Sequence, residues 1–279
     1  MLADVLTYLR CPHCRASLDL AGGMVRCTAG HAFDVARQGY VNLLPGDARA
    51  GAGDTAGMVR ARHDFLGRGH FAGLADRITE LATAGLAADG CVADVGAGTG
   101  YHLARLLDAL PDRVGLALDV SKYAVRRAAR AHPRIGAAAC DTWRSLPVRD
   151  GAAAAVLDVF APRNGPEFRR ILAPGGILVV VTPTPRHLRE LVTTLGLLTV
   201  DERKEERVAG TLGGSFTAGT SLVHEETPLL AHEDVEALVA MGPSAWHTAP
   251  RVVAERVAHL PNPVPVTLSV TLTTYRPVP

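Results

Sequence analysis

From about residue 90 the chain alternates short β-rich runs with amphipathic helical segments, and nothing else in it narrows the fold as much. The runs "CVADVG", "VGLALDV", "IGAAAC", "AAAAVLDVF" and "GILVVVTP" read as strands. The segments "YHLARLLDAL", "KYAVRRAARAH", "PEFRRILA" and "RHLRELVTTLG" read as helices between or after them. Parallel strands cannot be joined by tight turns, so each must reach the next through a crossover, usually a helix. The alternation therefore predicts a doubly wound α/β sheet with helices on its faces. The tail breaks the pattern: "HEDVEALVAMG" reads as a helix, and "VPVTLSVTLTTYRP" as a long alternating strand that closes the sheet as a hairpin partner. No internal repeat is visible.

Upstream of this region the chain changes character twice. Residues 1–44 are short, turn-rich and cysteine-bearing, ending in "FDVARQGYVNLLP". Residues 45–57, "PGDARAGAGDTAG", are small and polar and read as a flexible linker. From Met58, the residues Phe65, Leu74, Ile78 and Leu81 fall at roughly helical spacing, broken at "GRGHF", which suggests two helices. A 279-residue chain is long for one compact unit and fits a small domain followed by a larger one. Asp4 and Arg10 interrupt the only apolar stretch near the start, no run approaches the ~20 apolar residues of a membrane span, and a cytoplasmic location is the expectation.

In a reducing compartment, clustered cysteines bind metal or do redox chemistry more often than they form disulfides. Residues 11–31, "CPHCRASLDLAGGMVRCTAGH", space three cysteines and a histidine as C-x2-C-x12-C-x3-H. "CPHC" lets two sulfurs face one ion, and "CTAGH" supplies a second chelating turn. Cys11, Cys14, Cys27 and His31 are thus candidate ligands of one zinc, with all four tetrahedral positions filled by protein and none left for substrate. His13 lies within the first turn, badly placed to share the metal. A redox reading uses only "CPHC" and leaves Cys27 and His31 unexplained; ordinary core cysteines are the remaining alternative, and the one that suits Cys91 and Cys140.

"VADVGAGTGYHLARLL" places G-x-G-x-G between a strand and a helix. A dinucleotide fingerprint would need glycine at 101, where Tyr101 stands. Asp94, two residues before Gly96, would repel a pyrophosphate but suits a cation. Asp119 ends the next strand, where a carboxylate can accept both ribose hydroxyls, and Asp141 ends the third, where an adenine amino group would lie. An acidic loop (Gly96, Gly98, Thr99, Gly100) with acids ending the next two strands is the layout of S-adenosylmethionine-dependent methyltransferases, which this region resembles. Each acid taken alone is as well read as a helix cap.

Over essentially its full length the chain resembles the ribosomal RNA large-subunit guanine-N1 methyltransferases. The resemblance rests on "CPHC…C…GHAFDVARQGYVNLLP", "GDTAGMVRARHDFLGRGHF", "DVGAGTGY", "LDVSKYAVRRAARAHP", "FAP" and "LAPGG…TPTPRHLREL". It implies a Rossmann-like class I methyltransferase domain (58–279) behind a zinc-ribbon-like RNA-recognition domain (1–44). It also implies methyl transfer to guanine N1 in hairpin 35 of 23S rRNA, at nucleotide 745 or 748, and a homodimer. Members acting at 748 are associated with resistance to macrolides such as tylosin. By the same resemblance Phe71, Gly98, Thr99 and His187 fall at cofactor positions; without it, Phe71 reads as core and His187 as a helix start.

Guanine N1 carries a proton that must leave for it to act as a nucleophile. Asp158, in "VLDVFAP" after the fourth strand, is the candidate acceptor, and Phe160 is available to stack a base. The net charge of +1 does not announce a nucleic-acid binder, yet residues 101–150 carry nine basic side chains against five acids. Nearly all are arginine, which suits phosphate but also reflects an arginine- and alanine-rich composition. With Arg10, Arg15, Arg26 and Arg37 on the first block, the linker would let that block close on an RNA hairpin. Two other readings are a small-molecule methyltransferase with a structural zinc module, which needs a deep apolar pocket, and a non-catalytic RNA-binding protein, which should have lost the loop glycines and strand-end acids.

Overall fold

The computed structural model describes residues 1–46, 53–198 and 210–278. The first block carries a small antiparallel sheet of β1 (Leu18–Ala21), β2 (Met24–Cys27) and β3 (Ala32–Asp34), followed by β4 (Tyr40–Asn42). The alternating region contributes β5 (Cys91–Val95), β6 (Gly115–Asp119), β7 (Ile135–Ala139), β8 (Ala153–Val159) and β9 (Leu172–Pro183). The tail adds β10 (Phe216–Glu226), the short pair β11 (Leu229–Leu230) and β12 (Val264–Pro265), and β13 (Leu268–Pro277).

Eight of these strands form one sheet in the order β10-β13-β9-β8-β5-β6-β7-β4. Strands β4 to β9 run parallel, and β13 runs antiparallel between β9 and β10. The interior strands are buried at nearly every residue, as a sheet covered on both faces requires. The strand order reverses between β5 and β8, the point beyond whose carboxyl ends open α/β sheets bind their ligands. Asp94 and Asp158 sit at that point, on β5 and β8.

One apolar layer is built from helices at Ala56–Gly67, Ala72–Ala84, Tyr101–Asp108 and Lys122–Ala128, through Phe65, Leu74, Ile78, Leu103 and Leu107. Thr55 caps the first of these by accepting from Met58 N (3.3 Å), and Ser121 caps the last by accepting from Ala124 N (3.4 Å). The other layer holds the surprise. The connection from β7 to β8 contains no helix, so part of that sheet face has no cover of its own. Helix Leu2–Leu6 takes the place: Leu2, Val5, Leu6 and Leu9 join one core with Leu116, Leu118, Ala138, Leu146 and Val148. Gly136 on β7 is tailored to this contact, because a Cβ there would collide with the Val5 methyls.

The block is tied on at two further places. Strand β4 pairs with β7 in the register Tyr40↔Ala137, Val41↔Ala138, Asn42↔Ala139, and Leu43 N continues it to Ala139 O. Arg10, only 8% exposed, donates to Asp150 (2.9 Å) and Ser145 (3.2 Å). The picture of a block that swings on a linker to close over RNA is therefore corrected. Residues 1–44 share a sheet and a core with the rest, and Arg10 is consumed by packing. Of the expected linker, residues 47–52 lie outside the described residues, and residue 56 already begins a helix.

Candidate active site and metal centre

The turns "CPHC" and "CTAGH" bring their donors together. One ligand atom from each of Cys11, Cys14, Cys27 and His31 lies within 4.8 Å of every other. Cys14 Sγ is 3.6 Å from Cys27 Sγ, and His31 Nδ1 is 3.6 Å from Cys11 Sγ and 3.3 Å from Cys27 Sγ. A tetrahedron with Zn–S bonds of about 2.3 Å has edges of about 3.7 Å, shorter where one donor is a nitrogen, so the donor set is already spaced for zinc. Gly30 makes the second turn at φ +88°, a left-handed conformation that a residue with Cβ adopts only under strain. His13 stands outside the tetrahedron, stacked on Phe33 with ring centroids 5.8 Å apart. The cysteines are thiols without a disulfide; Cys91 and Cys140 are buried elsewhere in the sheet, where burial pushes Cys91 up to about 12.

The glycine loop follows β5 at this reversal. Gly96, Gly98 and Gly100 all have positive φ (+81°, +54° and +77°), and a Cβ on Gly96 would lie 2.5 Å from the Ala161 methyl. The backbone thus comes as close as it can to the turn after β8. Asp119 holds the loop in shape: its carboxylate accepts from Gly98 N (2.9 Å) and from Ser121 N (2.8 Å). Each oxygen keeps acceptor capacity beyond that one bond. Thr99 is buried at the loop's crest.

Asp94 is 2% exposed and has no hydrogen-bond or ion-pair partner among the described residues. Burial, then the charges of Asp119 and Asp158, push its carboxyl up to about 8. A buried acid facing two more acids across a glycine loop is costly unless a cation joins it. That is the fit test for a sulfonium nucleoside such as S-adenosylmethionine, and the residues meet it. A stability consequence follows. The folded-state value lies above the ordinary 3.8, so between about pH 4 and 8 the folded chain holds a proton that the unfolded chain has released. The resulting stabilisation is full at the acid end and is lost as pH rises through about 8. Cofactor-free protein is expected to melt at lower temperature at pH 8.5 than at pH 6, and Asp94→Asn to flatten that difference. Thermal unfolding showing the wild-type pH slope in the variant would reject the assignment.

The remaining expected residues separate into two groups. Phe71, Phe160 and His187 gather: ring centroids are 6.3 Å apart for Phe71–Phe160 and 5.9 Å for Phe160–His187. Phe71 is buried, whereas Phe160 is 41% exposed at φ +55°, an uncommon conformation for a bulky residue. His187 Nδ1 accepts from Ser269 N (3.2 Å). Asp158 and Asp141, by contrast, hold turns. Asp158 is fully buried, accepts from Ala161 N (3.3 Å) and lies 3.8 Å from Arg163 Nε. Asp141 accepts from Trp143 N (2.9 Å) and lies 3.4 Å from Arg144 Nε.

Three residues at the site went unread from spacing alone. Arg62 reaches from helix Ala56–Gly67 to the loop, where its guanidinium would lie 3.3 Å from a Cβ on Gly98, while donating to Asp54 and to Met241 O (2.7 Å). Asp54 O in turn accepts from Ser121 Oγ (2.7 Å). His102, at the start of the loop helix, is held neutral: burial and then Arg62 depress it to about 4. Asp54 sits in a stretch whose composition reads as linker, and no periodicity marks Arg62.

A zinc-ribbon family model described as "RlmA, N-terminal" matches residues 9–50. The chain is 53% identical, over the full length of both, to the 23S rRNA (guanine(748)-N(1))-methyltransferase of Streptomyces fradiae. A Micromonospora griseorubida protein, provisionally named a 23S rRNA (guanine-N(1)-)-methyltransferase, is 52% identical, again with both chains covered completely. The Bacillus subtilis (strain 168) protein YxjB, provisionally named in the same way, is 35% identical over 66% of this chain and 67% of its own.

Proposed function

This chain belongs to the 23S rRNA (guanine-N1)-methyltransferase family, and from that premise we propose that it methylates N1 of guanine 748, in hairpin 35 of 23S rRNA. We infer further that it works in the cytoplasm as a homodimer and that the modification confers resistance to macrolides such as tylosin. The observation that carries the methyl-transfer reading is the unpartnered buried Asp94 beneath the glycine loop. It supports a cationic nucleoside cofactor in a chain whose full-length relative is named for this reaction. Among the described residues no helix is long and apolar enough to cross a membrane.

S-Adenosylmethionine, when bound, supplies a methyl group activated by a sulfonium. Asp94 offers that charge a carboxylate, and the positive-φ glycines let backbone N–H groups approach without side chains intervening. Asp119, which holds Gly98 N, would offer its remaining lone pairs to the ribose hydroxyls. Phe71 and His187 flank the exposed Phe160, whose ring offers a stacking surface for the target base beside the glycine loop. Holding a base in line with a methyl donor recovers much of the entropic barrier to a two-body reaction. Asp158 anchors the turn that presents Phe160 by accepting from Ala161 N, with Arg163 Nε 3.8 Å away, which gives it a positional role.

The zinc site is structural in this reading, with four protein donors and no open position. Primer extension tests the function. Purified protein and S-adenosylmethionine should convert unmodified 23S rRNA into a template on which reverse transcriptase stops next to guanine 748, because N1 methylation blocks base pairing. Read-through of the treated RNA would overturn the proposal.

A further inference from the structure

A cavity of about 660 Å³ opens beside the glycine loop, between helices Ala56–Gly67 and Lys122–Ala128. Thr99 and Tyr101 of the loop and its helix line it together with Arg60, His63, Arg126, Arg127 and Arg130, over a floor that includes Val59, Leu66 and Ala104. A second cavity of about 420 Å³ adjoins it and shares Arg130. This one is bounded by Arg37 and Gly39 of the N-terminal block and by His132. Neither lining includes a carboxylate.

Composition does not explain that arrangement. Among the described residues several exposed arginines elsewhere stand in ion pairs, Arg77 with Glu80, Arg105 with Asp76, Arg186 with Glu225 and Arg251 with Glu255, while Arg15, Arg26 and Arg256 stand singly and are not gathered in one cavity. The five arginines of the two cavities are exposed and have no acidic partner among the described residues. Arginine's planar fork suits phosphate oxygens, and such sites draw most of their affinity from counterion release. Tyr123, 39% exposed on the rim, adds a ring on which a base or ribose can stack.

We propose that the two cavities form one continuous track that holds the sugar-phosphate backbone of the substrate RNA, running from the N-terminal block across Arg130 to the cofactor loop. The inference rests on the rRNA-methyltransferase reading and adds where the RNA lies. It also gives the N-terminal block a role that needs no swinging: rigidly docked through β4, it extends the track by Arg37. Phosphate contacts of this kind fix position without reading sequence.

The test is the double charge reversal Arg126→Glu/Arg130→Glu in the full-length protein, at two exposed positions remote from the sheet core. The probe is an unmodified 23S rRNA transcript containing hairpin 35, titrated by fluorescence anisotropy at several salt concentrations. The variant is expected to bind the transcript at least a hundredfold more weakly. Its log–log salt slope should be shallower by roughly 1.4–1.8, the value for two lost phosphate contacts. Calorimetric S-adenosylmethionine affinity should stay within twofold of wild type. Wild-type affinity and slope in the variant would overturn the track while leaving the methyltransferase reading in place. An equal loss in Arg251→Glu, which lies outside the track, would also overturn it, by showing an effect of net charge alone. If the wild-type protein neither binds nor methylates the transcript, the underlying reading fails and the track with it.

Discussion

Replacing Cys27 with serine is expected to cost the chain its zinc and, with it, cofactor binding at the loop Gly96–Gly100. Metal assay should find one zinc per chain in the wild type and close to none in the variant. Structural zinc in small modules contributes about 10–16 kcal/mol of apparent binding free energy that is also folding free energy, more than most domains hold in reserve. Without the metal, nothing fixes the two chelating turns or the short strands between them. Because β4 is an edge strand of the main sheet and helix Leu2–Leu6 covers one of its faces, the damage spreads. Exposing Val5, Leu6 and Leu9 alone forfeits about 1.5–3 kcal/mol each. Truncation of residues 1–44 should behave the same way, uncovering Gly136 and the edge of β7. A metal-free Cys27→Ser protein that melted at the wild-type temperature and bound S-adenosylmethionine normally would show the block to be an appendage.

The second large effect is expected at Gly96→Ala. The new methyl would stand 2.5 Å from Ala161, and the backbone there has φ +81°. Left-handed backbone costs a residue with Cβ about 1–2 kcal/mol, and relieving the clash means moving either the loop or the turn that presents Phe160. Either movement withdraws the loop N–H groups and misaligns the site, so cofactor affinity should fall by about a hundredfold or more, equivalent to about 2.7 kcal/mol. The substitution lies at a loop, not within a strand, so the far-ultraviolet circular dichroism spectrum should be retained. Calorimetry returning wild-type affinity would mean that the close approach of loop and turn plays no part in binding.

Much of this was legible in the sequence because the governing rules are local. The β5 to β9 runs are apolar on both faces and sit between amphipathic segments, so the parallel sheet declared itself, and so did the loop after "VADV". The four zinc donors were legible for the same reason: each pair lies within one turn. What escaped was decided by pairings between distant residues. "YVN" is too short to read as a strand, and only β7, some 95 residues on, makes it one. The crossover "DTWRSLPVRDG" forms no helix, and the cover that Leu2–Leu6 supplies in its place leaves no local trace. Arg62 and Asp54 reach the loop through tertiary packing that leaves no periodic trace. Asp158 and Asp141 ended their strands as anticipated, yet strand-end position alone does not tell a carboxylate that faces a ligand from one that holds a turn. The arginine excess was countable; that its members in the two cavities lack acidic neighbours became visible only in the fold.

The docking of the first block has a consequence for how the chain is made. Its apolar face, Leu2 to Leu9, finds its partners on residues 116–148, and Arg10 finds Asp150. Those residues leave the ribosome roughly 5–28 s later at ordinary rates of synthesis. Throughout that interval the apolar face Leu2 to Leu9 lacks the sheet residues that cover it. All four zinc donors, by contrast, lie within residues 11–31 and are available to a metal before any strand of the main sheet has been made.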